Sequence, residues 1–219
     1  MGEKDDGSDS LAVQVAPASH WPTMRALILV VSAEKKGVSS TSGMQITVST
    51  SKLFKRRAEI VVPESMLLME KAIKEKDFQS FGEVTMRESN SFHATCLDTF
   101  PPIFYLNDVS RAAIRVVEDI NKKAGKIIAA YTFDAGPNAV IYYEEENTDA
   151  VAGVLNGALN GLDGWQARDI KSQDSSDLDA RAVQVLKDGV SRVILTSVGE
   201  GPIRTEESLI DAAGAPVKK

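Results

Sequence analysis

Asp134 stands between the β-rich run at residues 126–133 and the chain-turning residues Gly136, Pro137 and Asn138. A carboxylate placed so is presented at a loop tip rather than buried, because an extended approach must there reverse sharply. The apolar run resumes at 139–143, which puts Asp134 at the lip of a hairpin with a strand on either side to hold it. A carboxylate so held can take or orient a proton. It is a weak base, so its orientation would count for more than its proton affinity. The plainer reading of the same residue is a turn aspartate that bonds its own backbone.

A second group of polar residues, Ser39, Ser40, Thr41 and Ser42, follows an apolar strand and precedes a helix expected to begin near Gly43. One of the hydroxyls should cap that helix, and its free N–H groups and dipole favour an anion. Lys35 and Lys36 are close by in sequence. Read alone, a Ser/Thr cluster before a helix is usually a cap and nothing more.

The remaining chemistry-bearing residues offer less. Two histidines, one cysteine and no Asp/Glu cluster at ligand spacing argue against a metal held by the chain. His93 reads as a hydrogen-bonded structural residue and His20, beside Trp21 and Pro22, as packing or surface. Cys96 reads as an inert core thiol, and its being alone rules out an internal disulfide framework. Asp5, Asp6 and Asp9 read as a solvated turn.

The elements that must position these residues are legible in the apolar pattern. Strands are expected at 11–16, 25–32, 126–133, 139–143 and 192–198, each rich in Val, Ile, Leu or Tyr. The clearest helix covers 108–124, with Val109, Ala112, Ala113, Val116, Val117 and Ile120 on one face, Asn107 or Asp108 as cap and Gly125 as stop. Pro63 opens a helix carrying Met66, Met69 and Ile73, and Asp77 opens its antiparallel neighbour with Phe78 and Phe81 inward. Thr148 is expected to cap a helix bearing Val151, Val154, Leu155 and Ala158, and Ser175 or Ser176 one bearing Leu178, Ala182, Val185 and Leu186. The Met and Phe residues are expected to fill the core. Residues 160–176, with thinned apolar content, read as a surface connection. Segregated helices with a mostly antiparallel sheet describe an α+β two-layer sandwich, helices on one face, in a ferredoxin-like split arrangement.

Composition bounds the function classes. With 219 residues, 43% apolar and 26% charged, the chain can bury a sizeable core. A net charge of -6 and a pI of about 5.1 exclude a general nucleic-acid or anionic-membrane surface while allowing a local phosphate site. Residues 1–10 carry no secretory signal and the first long apolar run covers only six residues, 26–31, so a cytoplasmic protein is expected. The C-terminus carries neither a prenylation cysteine nor a peroxisomal tripeptide.

Several long stretches resemble one family. Asp6-Gly7-Ser8-Asp9-Ser10, the run from Leu29 to Lys36, Ser39-Ser40-Thr41-Ser42-Gly43-Met44, Asn90-Ser91-Phe92-His93-Ala94-Thr95-Cys96-Leu97-Asp98, Pro101-Pro102-Ile103-Phe104-Tyr105-Leu106-Asn107-Asp108 and the Asp134 turn are similar, in order, to diphosphomevalonate (mevalonate diphosphate) decarboxylases of eukaryotic, particularly fungal, type. The likeness runs nearly end to end, weakest at 144–188. It implies membership of the GHMP superfamily, with a GHMP C-terminal domain at 25–219, and a segment at 1–24 that completes an N-terminal domain. It implies ATP-dependent decarboxylation of (R)-5-diphosphomevalonate to isopentenyl diphosphate, with ADP, phosphate and CO2, for isoprenoid and sterol biosynthesis by the mevalonate pathway. Asp134 matches the family's essential aspartate, and Ser40 and Thr41 its diphosphate-contacting residues. The resemblance also implies ATP with Mg2+ as cofactor and a homodimer. The family's phosphate loop, of the type Pro-x-x-x-Gly-Leu-Ala-Ser-Ser-Ala, does not occur among these residues. The chain therefore resembles the C-terminal half, expected to be inactive alone. The other reading is a non-catalytic α+β module that binds a phosphorylated ligand or a protein partner.

Overall fold

A computed structural model describes residues 4, 6–31, 39–201 and 204–217. Lys35, Lys36 and Asp5 lie outside the described residues. Four strands, β1 (Met24–Val31), β2 (Ala129–Thr132), β3 (Ala139–Glu144) and β4 (Val190–Ser197), form one sheet in the order β2-β3-β1-β4. Every pair is antiparallel. Strand, helices, hairpin, helices, strand in that order is the split ferredoxin-like arrangement expected from the sequence.

The alternation of the strands sorts the two faces. Leu27 and Leu29 of β1, Tyr131 of β2 and Ile141 and Tyr143 of β3 are buried against a helical layer. Ile28, Thr132 and Val140 on the opposite face are only half-buried. The helical layer is built from α5 (Asp108–Ala124), α6 (Val154–Ala158, entered through a π turn at Asp149–Gly153) and α7 (Ala180–Gly189). On α5 the apolar residues recur at helical spacing, so Ala113, Val116, Val117 and Ile120 all reach the core. Asn107 and Ser110 form a reciprocal cap at its start, and Gly125 ends it with φ 69°, a left-handed turn that costs glycine little.

The long connection from β1 to β2 carries α1 (Ser40–Thr50), α2 (Phe54–Arg56), which runs through a π turn at Arg57–Val61 into α3 (Val62–Glu75), and α4 (Phe78–Leu97). Lys76, with φ 54°, and the cap Asp77 reverse the chain between α3 and α4, which pack together as the hairpin of helices the sequence implied. α4 lies along β2. Its first turn joins Trp21, Met24 and Ala130 in a second, smaller core.

Four expectations are corrected. Residues 11–16 form no strand: Leu11 is 77% and Val13 85% exposed. Their alternation is strand-like, but they pair with no strand of the sheet: both sides of β1 are taken by β3 and β4. Residues 160–176 are more than a surface connection. Trp165 is buried, its neighbours Leu162 and Ile170 pack on the core, and Asp163 bridges to Arg192 of β4. Asp179, not Ser175 or Ser176, caps α7, accepting from the Ala182 amide. Finally, the Met and Phe residues are not all core. Met44 and Met66, on the outer sides of α1 and α3, and Phe100 and Phe104, in the segment between α4 and α5, are between 56% and 79% exposed.

Candidate functional site

The hairpin between β2 and β3 places Asp134 as expected, exposed at its lip. What the sequence did not reveal is how firmly its turn is held. The Phe133 amide donates to Ser89 Oγ of α4 at 3.2 Å. Ser110 of α5, wholly buried, donates from Oγ to the Pro137 carbonyl at 3.1 Å. Asn138 Oδ1 accepts from the Val31 amide at the end of β1 at 2.9 Å. The Tyr131 hydroxyl pairs with the Asn90 side-chain amide. A third α4 residue, His93, is packed against Phe133. Three elements therefore fix the backbone on both sides of Asp134, while its own carboxylate has no hydrogen bond or ion pair with any described residue. The bland reading, a turn aspartate bonded to its own backbone, is not what the geometry contains.

Ser40 and Thr41 open α1. Its cap is Ser39, whose Oγ accepts from the Ser42 amide at 3.1 Å and whose hydroxyl donates to Ser42 Oγ at 2.9 Å. Ser40 and Thr41 are thereby spared the capping role; both are exposed, and their hydroxyls make no hydrogen bond with described residues. The helix spans 11 residues, so its N–H groups and dipole are available to an anion. The start of α1 is backed by the segment after α4. Tyr105 donates to the Ser39 carbonyl at 3.4 Å, and its hydroxyl sits where a Cβ on Gly43 would be. Burial pushes the Tyr105 hydroxyl up from its ordinary value, so it stays a donor.

One cavity of about 460 Å³ is lined by residues of both regions, Ser40 and Ala135 among them, together with Met44, Val48, Phe54 and Phe92. Thr41 and Asp134 do not line it. Asp134 instead borders a depression of about 270 Å³ over the open face of the sheet, with Ile28, Thr132 and Asn138. The structure thus brings Ser40 and Ala135, the neighbour of Asp134, to a common cavity, while Asp134 itself borders a separate depression. Cys96 lines the same cavity as a buried thiol; burial raises its pKa, which suits packing and not nucleophilic attack. Arg57, the cation of this wall, is already engaged by Glu88 and Ser91 at 2.7 Å each. Ser89, Ser110 and Asn138 went unread in the sequence because each is a common polar residue whose partner lies 27 to 107 positions away.

Among the described residues no group of His, Cys, Asp or Glu could hold a metal, and no helix is long and apolar enough to cross a membrane.

Comparison with known proteins gives the family. Residues 26–205 match the model of the mevalonate 5-diphosphate decarboxylase C-terminal domain. Diphosphomevalonate decarboxylase of Gibberella zeae is 66% identical over 209 residues, covering 95% of this chain and 55% of that protein. A crystal structure of mevalonate 5-diphosphate decarboxylase superposes with a TM-score of 0.84 at 48% identity, covering 97% of this chain and 57% of the other. A further structure, 31% identical with a TM-score of 0.58 over 64% of this chain and 43% of its own, is a complex with MVAPP. The chain spans about half the length of the curated relatives it matches, and it belongs to the mevalonate 5-diphosphate decarboxylase C-terminal domain family.

Proposed function

We propose that this chain supplies the substrate-gripping and carboxylate-bearing part of an ATP-dependent diphosphomevalonate decarboxylase, a lyase of the mevalonate pathway that forms isopentenyl diphosphate for isoprenoid and sterol biosynthesis. Ser40, Thr41 and the open N–H groups of α1 would hold the diphosphate of the substrate, and Asp134 would accept or orient the proton of its tertiary hydroxyl. A tertiary alcohol is a poor nucleophile, so a carboxylate fixed beside it would help mainly by orienting the hydroxyl and its proton as the oxygen attacks phosphorus. ATP with Mg2+ would supply the phosphoryl group that makes the hydroxyl oxygen a leaving group; phosphate and CO2 then depart.

The observation that carries the reading is the contrast at Asp134: a turn tied to three elements around a carboxylate left unbonded. A backbone fixed so closely around an unused acceptor is what preorganisation for a ligand requires. The complex with MVAPP described for one solved relative agrees with a diphosphate grip, and a second solved protein sharing the fold is a complex with MVAPP, AMPPCP and magnesium. The nucleotide site itself would lie mostly in the portion of the relatives beyond this chain. Of the segment 1–24, the part bearing Leu11, Val13 and Val15, exposed in alternation, would complete the N-terminal domain there, whereas Trp21 and Met24 belong to the smaller core under α4. A cytoplasmic homodimer is the assembly expected by resemblance.

The test is phosphate release from ATP and diphosphomevalonate by a polypeptide of the relatives' length into which this chain is built. Asp134→Asn should lower turnover by roughly a hundredfold or more, with the thermal midpoint unmoved. The 219-residue chain by itself should show none. Unchanged turnover in Asp134→Asn would remove the proposed role of the carboxylate. Diphosphate binding by the isolated chain, with no turnover even at full length, would favour the non-catalytic module.

A further inference from the structure

Both halves of the candidate site lean on one stretch of chain, the segment from Asp98 to Ser110 that leads from α4 into α5. It is anchored along its length. Ile103 is buried and its amide donates to the Cys96 carbonyl at 3.1 Å. Leu106 packs on the main core, and Asn107 and Ser110 close the segment with the reciprocal cap of α5. At this end the Ser110 hydroxyl holds the Pro137 carbonyl of the Asp134 turn at 3.1 Å. Earlier in the segment, Tyr105 reaches the other half of the site.

α1 is tied to the same segment at both of its ends. Toward its C-terminus, Thr47 and Thr99 pair their hydroxyls at 3.1 Å, Thr50 Oγ1 accepts from the Phe100 amide at 3.0 Å, and the Ser51 hydroxyl donates to the Asp98 carboxylate at 2.8 Å. At its N-terminus the tie is Tyr105, whose hydroxyl donates to the Ser39 carbonyl at 3.4 Å. That carbonyl also accepts from the Gly43 amide at 2.8 Å, so the phenol adds a second hydrogen to the acceptor that begins the helix. Gly43 makes the approach possible: a Cβ there would fall on the phenol oxygen, 3.2 Å from the ring carbon that carries it. Among the described residues, no other segment hydrogen-bonds both the first turn of α1 and the Asp134 turn.

A diphosphate and a hydroxyl carried by one substrate molecule are a set number of bonds apart, so the grip and the carboxylate must keep one separation. Misplacement by about 1 Å can cost on the order of a hundredfold in rate. We propose that Tyr105 is a positioning residue: with its hydroxyl in the notch left by Gly43, it holds the first turn of α1, and with it Ser40 and Thr41, in register with Asp134. The proposal rests on the roles given above to Ser40, Thr41 and Asp134.

Two variants test it. Tyr105→Phe keeps the ring and removes the donor, whereas Gly43→Ala drives the oxygen out of its notch while raising the helix propensity of α1. In a polypeptide of the relatives' length, each should lower kcat for phosphate release about tenfold. Combined, they should cost little more than either alone, since both break the same link. The donors of the grip are untouched, so inorganic diphosphate should bind the 219-residue chain within roughly twofold of the parent in either variant by calorimetry, unlike Ser40→Ala. A merely structural Tyr105 would instead lower the thermal midpoint and leave kcat in place. Parental kcat in either variant, with Asp134→Asn inactive, overturns the proposal and leaves the reading of Asp134 standing. Diphosphate affinity lost in Tyr105→Phe as far as in Ser40→Ala overturns it too, because Tyr105 then belongs to the grip itself. If Asp134→Asn retains turnover, both fall.

Discussion

The two ends of the candidate site are held in opposite ways. The Asp134 turn is tied to distant parts of the chain, Ser89 of α4, Ser110 of α5 and Val31 of β1. The start of α1 is tied mainly to itself, through Ser39 and Ser42, with Tyr105 giving its one hydrogen bond from elsewhere among the described residues. The turn thus shares the stability of the core, whereas the helix start can loosen alone. A carboxylate meant to meet one hydroxyl gains from rigidity. A set of donors meant to close on a flexible diphosphate can tolerate local motion.

The contrast can be broken from either side. Ser110→Ala should do most, since it removes a wholly buried hydroxyl and leaves the Pro137 carbonyl without its donor; a loss of about 1–3 kcal/mol in urea unfolding is expected, with amide shifts confined to the turn and α5. Ser39→Ala should cost about 1 kcal/mol, seen as faster hydrogen exchange over the first turn of α1 and no change at Asp134. If either variant disturbs both ends equally, the two regions are one unit and the comparison is mistaken.

Two smaller effects sharpen it. Burial lowers the His93 pKa in the folded chain, so the unfolded chain binds the proton more readily. Stability should be complete above the ordinary histidine pKa of about 6.5 and decline as pH falls below it towards the folded value. Denaturation midpoints between pH 7 and pH 5 would measure this, and His93→Gln should flatten that part of the profile. The carboxylates of Asp77 and Asp179 are held below their usual range by hydrogen bonds, first from the Ser80 hydroxyl and the Ala182 amide respectively. Their contribution is present above the ordinary carboxylate range and is lost only at more acid pH, so it does not overlap. Smallest in stability is Ser40→Ala, expected within about 0.5 kcal/mol because the hydroxyl is exposed. It should still weaken inorganic diphosphate binding by roughly tenfold by calorimetry.

Local signals were readable and distant ones were not. The hairpin lip at Asp134, the cap at Asp77 and the apolar face of α5 are written in residues a few positions apart, and each was found from the sequence. The strand expected at 11–16 failed because pairing depends on an edge elsewhere. Trp165 was missed because glycine and serine around it mimic a loop, while its burial depends on the core it meets. Ser89 and Ser110 look like any helical serine until the turn they serve is folded beside them. The family resemblance singled out Ser40, Thr41 and Asp134 as candidates, but no sequence signal separated the cap Ser39 from the free hydroxyls after it.

Gly164 carries a consequence for the sheet as a whole. With φ 109° it lets the chain press so close to β4 that any side chain there would strike the Val193 carbonyl, and it brings the Asp163 carbonyl onto the Val193 amide at 2.8 Å. A residue with a Cβ at 164 would lift this clasp and leave a strand amide open to a passing chain, the usual seed of intermolecular pairing. Replacing Gly164 should therefore surface as concentration-dependent self-association while the residues around Asp134 stay in place.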